Sequence, residues 1–379
     1  LKRGSLARPL HIAIDVRRLD FFGIGTYIRN LVTALSRLDQ VNRYSLIMLP
    51  NRSPLEGLGA NFHPVFFSRP DTDVVQNASF PIFIKKLHVD LCHIPLNSVA
   101  YWMPRPYVVT IHDLSSITYK AGGGVQEALH RERYRRGAAR ATRVIAVSNA
   151  TRRDLESVVG IDPQRIRTIY SAPDPAFGFP GPSADYTNQI LQRYSIQPPF
   201  ILYAGSIRPH KNVGRLVEAF AVIRSEVENN PQYRDLKLVI IGDELSRYPQ
   251  VRRAVAAARI GPHVRFLGFV PPETLRVFYG SATAFAFPSL AEGFGLAPLE
   301  AMACGTPVVA SDLPALVEAV GDAAELVSPD NVFDVVRGLR SILLEPETRR
   351  RRSEEGLRQA ARFDWNDTAR AVLEIYGDI

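Results

Sequence analysis

The residues best equipped for chemistry lie in the run Phe287-Pro288-Ser289-Leu290-Ala291-Glu292-Gly293-Phe294-Gly295-Leu296-Ala297-Pro298-Leu299-Glu300-Ala301-Met302-Ala303-Cys304-Gly305-Thr306-Pro307-Val308-Val309. An apolar strand enters a loop with two glycines, and the loop opens a helix near Pro298. Gly293 and Gly295 let the backbone approach a ligand and turn its N–H groups toward it. The positive end of the helix points at the same spot, which favours a diphosphate. A proline in the first turn is pre-organised for such a start. Glu292 precedes the glycines and Glu300 lies within the helix, so they do not share a helical face. A loop carboxylate can accept hydrogen bonds from sugar hydroxyls, and one a turn into the helix can take both hydroxyls of a ribose. Two isolated glutamates would better suit a capping loop and a surface helix; the surrounding string favours the ligand.

Other candidates are weaker one at a time. Lys211, alone, is a solvated lysine at a helix start. His112 ends an apolar run and, alone, is a satisfied structural histidine. Asp113 beside it suits a cap for the next segment better than an orienting role. Gly23 and Gly25 precede a helix, a pattern many nucleotide folds share. No Asp-x-Asp is read at the end of an expected strand, and no Cys/His cluster has zinc spacing, so no metal is expected.

Strand-like and helix-like runs alternate throughout, the pattern of parallel sheets covered by helices. Strands are expected at 11–16, 43–49, 91–94, 107–111 and 144–147, the last followed by the N-cap sequence Ser148-Asn149-Ala150-Thr151. The glycine loop leads into a helix over Tyr27–Leu38. The pattern lapses around 171–199, where prolines at 173, 175, 180, 182, 198 and 199 indicate an interdomain connection. It restarts with strands at 200–204, 236–241, 264–267, 283–287 and 307–310, and helices at 212–225, 275–279 and 298–303. The expected organisation is a first domain over 1–172, a connection over 173–198, a second domain over 199–362, and a final helix within 363–379 crossing back to the first. Ligands of such sheets bind at the carboxyl ends of the strands.

Glu292 and Glu300, eight apart around Gly-Phe-Gly, resemble the Glu-x7-Glu motif of retaining glycosyltransferases of family four. The resemblance extends to Gly23-Ile24-Gly25-Thr26-Tyr27, Thr110-Ile111-His112-Asp113, Val147-Ser148-Asn149-Ala150-Thr151, Tyr203-Ala204-Gly205-Ser206-Ile207-Arg208-Pro209-His210-Lys211-Asn212 and Phe266-Leu267-Gly268-Phe269-Val270. It implies an α/β chain of the GT-B fold, with two Rossmann-like parallel-sheet domains facing a central cleft. It further implies a hexosyltransferase using a nucleotide-sugar donor and a saccharide or lipid-linked acceptor, with no metal or other cofactor. Carried onto this chain, His112 faces the donor sugar, Glu292 takes its hydroxyls, and Lys211 neutralises the diphosphate. Many relatives place arginine directly after the glycine matched by Gly205; here Ser206 stands there, and Arg208 supplies the second charge from a shifted position. Gly23, Gly25, Gly205, Ser206, Gly293, Phe294, Gly295, Leu296 and Ala297 surround the donor, Phe269 and Val270 meet the base, and Glu300 meets the ribose. The Gly-x-x-x-Pro-x-Lys-Asn turn resembles that of bacterial mannosyl- and rhamnosyltransferases of surface polysaccharide, which makes GDP-mannose the first expectation and UDP-hexoses the next. A small soluble acceptor, or a binding module without catalysis, remain the alternatives.

Composition bounds these readings. The 379 residues are 46% hydrophobic and 22% charged, enough for two packed cores. The two cysteines, Cys92 and Cys304, suit buried thiols, as in a reducing cytoplasm. The basic start Leu1–Ser5 is not followed by a signal core, and no apolar run approaches the roughly 20 residues that cross a bilayer. A net charge of +8 fits either a basic proteome or an anionic partner. Arginines at 131, 133, 135, 136, 140 and 143 suit a membrane-phosphate dock, and those at 349–352 a solvated helix face. Neither group carries the aromatics of a nucleic-acid platform. Phe80–Lys86 reads either as a membrane-facing segment or as a core helix. A cytoplasmic protein, with peripheral contact to an anionic inner membrane face, is expected.

Overall fold

The computed structural model describes residues 8–21, 23–97, 99–115 and 125–379, with backbone only for 125–130. The basic start Leu1–Ser5 lies outside the described residues. The chain forms two compact units, one made of the residues up to Ser171 together with Asp364–Ile379, the other of Ala172–Phe363.

The first unit holds seven strands: β1 (His11–Asp15), β2 (Arg43–Met48), β3 (Phe62–Phe66), β4 (Leu91–Ile94), β5 (Tyr107–Ile111), β6 (Arg143–Ala146) and β7 (Ile166–Thr168). Their order in the sheet is β3-β2-β1-β4-β5-β6-β7, and every pairing is parallel. Helices cover a parallel sheet on both faces, so its strands read as near-continuous apolar runs, as in Tyr107-Val108-Val109-Thr110-Ile111. β3 escapes that signature: only its first residue is buried, and Pro64 interrupts it.

Helix α1 (Ile24–Leu38) begins three residues before the expected start, directly after Gly23. A Cβ on Gly25 would sit 2.2 Å from the Leu19 carbonyl oxygen, so only glycine permits this loop to close on itself. Helices α2 (Gln76–Lys86) and α3 (Val125–Arg140) follow. Immediately after β1, the buried Asp15 carboxylate is gripped by both arms of Arg17, with Nε 2.9 Å from Oδ1 and Nη2 2.6 Å from Oδ2. Arg17 also donates to the Arg69 carbonyl at 2.9 Å, and its guanidinium lies 4.2 Å from the Phe80 ring centre. This buried ion pair anchors the turn that leads to the glycine loop.

The second unit carries β8 (Phe200–Gly205), β9 (Lys237–Gly242), β10 (Val264–Gly268), β11 (Ala284–Phe287), β12 (Val308–Ser311) and β13 (Glu325–Val327). Their order is β10-β9-β8-β11-β12-β13, again all parallel. Both sheets thus reverse direction beside their first strand, between β1 and β4 and between β8 and β11. Ligands of doubly wound sheets bind outside the carboxyl ends of the strands at that switch point. The proline-rich stretch expected as a connection holds helix α4 (Ala184–Arg193), capped where the Ser183 hydroxyl accepts the Tyr186 N–H at 3.4 Å. Helices α5 (Val213–Val227), α6 (Pro272–Ser281) and α7 (Leu296–Ala303) flank this sheet's switch-point strands.

The last helix, α8 (Trp365–Gly377), belongs to the first unit and packs along α1. Its Trp365 ring meets Tyr27 edge-on at 5.6 Å, and Thr368 donates to the Tyr170 carbonyl at 2.8 Å.

Candidate functional site

In the second unit the loops after β8 and β11 leave from neighbouring strands and are stitched together. The Leu290 N–H donates to the His210 carbonyl at 2.7 Å. Lys211, which closes a single 3₁₀ turn (Pro209–Lys211), places Nζ 2.6 Å from Glu292 Oε1. The two side chains are only 17% and 10% exposed, and Nζ lies 5.4 Å from the Phe287 ring centre. An ammonium and a carboxylate are thus presented as a preformed pair at the switch point, not as the solvated lysine its local sequence suggests. Ser206 and Gly205 stand at the mouth of the same loop, which is pinned by Tyr203 donating to the Ser206 carbonyl at 2.6 Å. The Ile207 N–H bonds Asp243 Oδ2 at 3.0 Å.

Two residues beyond the buried Gly293, Gly295 adopts φ +125°, and a Cβ there would meet Leu316 Cδ2 at 2.7 Å. Phe294 turns inward, its ring edge-on to Phe363 at 5.6 Å. Leu296 and Ala297 then form the first turn of α7 with their side chains half-buried, and Pro298 is its third residue rather than its first. The unbonded N–H groups of this turn create a positive end suited to an anion. Ser289, fully buried, leaves its hydroxyl without a hydrogen-bond partner among the described residues.

Glu300, one turn further along α7, is buried and accepts the Tyr279 hydroxyl at Oε2, 3.2 Å away. Burial, and then the nearby negative charge of Asp174, push its pKa up to about 8. Near neutral pH this environment favours the protonated carboxylic acid over the carboxylate. Tyr279 and Asp174 were absent from the sequence candidates because nothing local marks a partner contributed by another element. Phe269, after β10, is 67% exposed, whereas Val270 is buried, leaving only its main chain to meet a base.

In the first unit Gly23 and Gly25 lie where the loop after β1 enters α1, at the switch point, and His112 lies after β5, one strand beyond it. The imidazole follows β5, and its Nε2 donates to the Pro95 carbonyl at 3.1 Å. A carbonyl only accepts, so the neutral ring carries its proton on Nε2 and offers Nδ1 as an acceptor. Burial lowers its pKa against the opposing pull of Pro95 and Asp113, which favours that neutral form. Its backbone N–H bonds Asn97 at 2.8 Å, and the Tyr27 ring stands edge-on to it at 4.8 Å. Asp113 caps the following segment, accepting from the Ser115 N–H at 2.8 Å and its hydroxyl at 2.6 Å.

Comparison with known proteins decides the family. The model described as Glycosyltransferase Family 4 matches residues 22–177, and that described as Glycosyl transferases group 1 matches 189–359. A D-inositol 3-phosphate glycosyltransferase of Nocardia farcinica is 30% identical over 341 residues, covering 85% of this chain and 73% of the relative. The chain belongs to glycosyltransferase family 4. This family 4 chain is also 29% identical over 236 residues to the serotype-specific mannosyltransferase WbdA of Escherichia coli, covering 62% of the chain and 28% of that relative. It thus spans little more than a quarter of that protein's length. The sucrose-phosphate synthase of Thermosynechococcus elongatus superposes with a TM-score of 0.77 at 22% identity, over 97% of this chain and 98% of that one. The two parallel-sheet units are those of the GT-B fold.

Several expectations for the family 4 chain are refined by the structure. The Arg208 carbonyl accepts the Lys211 N–H at 2.8 Å, while its side chain is exposed and forms no ion pair among the described residues. Asp71-Thr72-Asp73 follows β3, a strand absent from the sequence reading. Both carboxylates are already paired, Asp71 with Arg18 at 2.6 Å and Asp73 with Arg69 at 2.7 Å. Among the described residues no group of three or more His, Cys, Asp or Glu is placed to hold a metal. Phe80 and Ile84 of α2 are buried in the core, leaving Ile82, Lys85 and Lys86 outside. Arg136 of α3 stacks on Tyr101 at 4.1 Å, while Arg135 and Arg140 are exposed. Arg352 is no mere solvated charge, because it bonds Glu325 at 2.8 Å and is largely covered. No described helix is long and apolar enough to cross a membrane.

Proposed function

We propose that the chain transfers a hexose, mannose from GDP-mannose as the first choice, to the hydroxyl of a saccharide or lipid-linked acceptor with retention of anomeric configuration. The observation that carries this reading is the Lys211–Glu292 pair set before the positive end of α7. A nucleoside diphosphate needs positive charge where its leaving oxygen develops negative charge. Lys211 would turn from Glu292 to the diphosphate, the α7 amides would hold the other phosphate oxygens, and Arg208 is free to add charge. Glu292 would then take sugar hydroxyls, Glu300 the ribose, and His112 Nδ1 a hydroxyl of the sugar. The acceptor's proton would pass to the leaving phosphate oxygen as the new glycosidic bond forms on the same face. Neither glutamate is assigned as a covalent nucleophile. Charge supplied this way leaves no role for a divalent cation.

The mannosyl choice is supported by the Escherichia coli relative. The second reading is a UDP-sugar-dependent transferase with a small soluble acceptor, and the Nocardia relative, matched over 85% of the chain and named for inositol 3-phosphate, supports its acceptor. The test is turnover with labelled GDP-mannose and UDP-hexoses, with and without EDTA, against lipid-linked saccharide and inositol phosphate. Hydrolysis or transfer from GDP-mannose unaffected by EDTA supports the first reading, and transfer only from a UDP-hexose to the soluble acceptor supports the second. A requirement for metal would overturn the charge assignment. For the lipid-linked acceptor, liposome co-sedimentation that weakens with salt supports peripheral contact with an anionic membrane.

A further inference from the structure

The interior of the first unit contains a polar chain that the fold alone does not require. His93, on β4, is fully buried. Its Nδ1 lies 2.6 Å from the Tyr376 hydroxyl of α8, and its Nε2 lies 2.8 Å from Thr110 Oγ1 of β5. Thr110 Oγ1 is in turn 3.3 Å from the Tyr27 hydroxyl of α1. Four elements therefore contribute one member each to a line of hydrogen bonds through the core. An apolar set of the same volume would avoid the cost of desolvating four polar groups. Fully satisfied buried chains of this kind rigidify what they connect.

What they connect here is the seat of His112. Thr110 stands two residues before His112, and His93 two residues before Pro95, whose carbonyl receives the His112 Nε2 proton. The Tyr27 ring, held at its hydroxyl by Thr110, supplies the edge contact to the imidazole at 4.8 Å, with planes 84° apart. Trp365 closes on the other contact of Tyr27. We propose that His93 and Thr110 are positioning residues for His112: they fix the Tyr27 ring and the β4 end so that the imidazole keeps its proton on Nε2 and presents Nδ1 to the sugar. Burial holds the His93 pKa down at about 3, so its ring stays neutral and can donate to one neighbour while accepting from the other. The inference rests on the assignment of His112 to the sugar, but its test separates the two.

The test is Thr110→Val, which deletes the central hydroxyl at nearly constant volume, with Thr110→Ser as the conservative rescue. Nitrogen chemical shifts of the His112 ring, in protein labelled at histidine, report the tautomer without reference to turnover. The expected result is a pure Nε2–H form in the parent and in Thr110→Ser, and a mixture in Thr110→Val. In parallel, Thr110→Val should lower kcat at least tenfold with donor KM changed less than twofold, and should cost nothing further in a His112→Ala background. Since Thr110→Val could fail to fold, Tyr376→Phe supplies a gentler break at the far end of the chain, with the same readouts. An unchanged tautomer and kcat in a folded break variant would overturn the proposal, as would an equal loss with and without His112. Full activity in His112→Ala would instead overturn the assignment of His112, leaving the tautomer measurement to judge the positioning.

Discussion

Replacing Glu300 by glutamine turns a buried acid into a measurable pH dependence. In the fold its proton is held up to about pH 8, whereas in an unfolded chain a glutamate releases it near 4.5. Between those values the folded state binds the extra proton, so this residue makes stability fall as pH rises through the window, and the loss is complete above it. Each pH unit is worth about 1.36 kcal/mol, and a window about 3.5 units wide therefore costs about 5 kcal/mol by its upper edge. Glu300→Gln has no proton to lose and keeps an acceptor for the Tyr279 hydroxyl. The stability of the variant minus that of the parent should therefore grow by about 1.4 kcal/mol per pH unit from roughly pH 5 to pH 8. Urea unfolding at several pH values, with unchanged m, reads this difference directly. Nucleotide binding adds a second reading. Ribose hydroxyls donate to the carboxylate, so binding near neutral pH should release about one proton from the parent and none from the variant, as calorimetry in buffers of different ionisation enthalpy would show. A stability difference that stays flat with pH, together with no proton release, would refute the picture of a neutral acid awaiting its ligand.

Lys211→Ala should lower kcat on the order of 10²-fold or more, because a charge facing the leaving phosphate is lost, while circular dichroism reports an intact fold; near-normal turnover would remove Lys211 from the diphosphate. Arg17→Ala strands the buried Asp15 carboxylate and should cost about 3–5 kcal/mol in denaturant unfolding, most of it recovered when Asp15 is also made apolar. A loss below about 1 kcal/mol would show that the pair is not a structural anchor. Burial drives the Cys304 thiol up to about 12 and raises that of Cys92 as well, so a thiol reagent at neutral pH should label neither in the native protein and both after unfolding. Rapid native labelling of either one would contradict the burial described here.

The strand–loop–helix around Glu292 and Glu300 was legible because its residue types and their order each serve one local purpose. Glycines allow close approach, and a helix start follows at once. The alternation of apolar runs likewise revealed most strands of both sheets. What stayed hidden has two physical origins. Some elements lack the local signal: β3 buries one residue and contains a proline, and α4 sits where prolines suggested only a connection. Other features are relations between distant residues. The Tyr279 partner of Glu300 lies 21 positions away, and the Tyr376 partner of His93 lies 283 positions away. A lone lysine at position 211 gives no sign of the carboxylate that holds it, 81 residues further along.

Because Asp364–Ile379 belongs with the residues up to Ser171, the second unit is an insertion nested inside the first. During synthesis all seven strands of the first unit emerge before Ser171, yet its α8 cannot follow, leaving the α8-facing side of α1 bare and His93 without its tyrosine, until residues 172–363 have emerged. The inserted unit has no such dependence, since its sheet and its helices all come from one uninterrupted stretch of chain. N-terminal segments usually fold first as they leave the ribosome, but here the later-made unit can finish before the earlier one. Severing the chain at Ser171 would accordingly spare one body and leave the other unsealed.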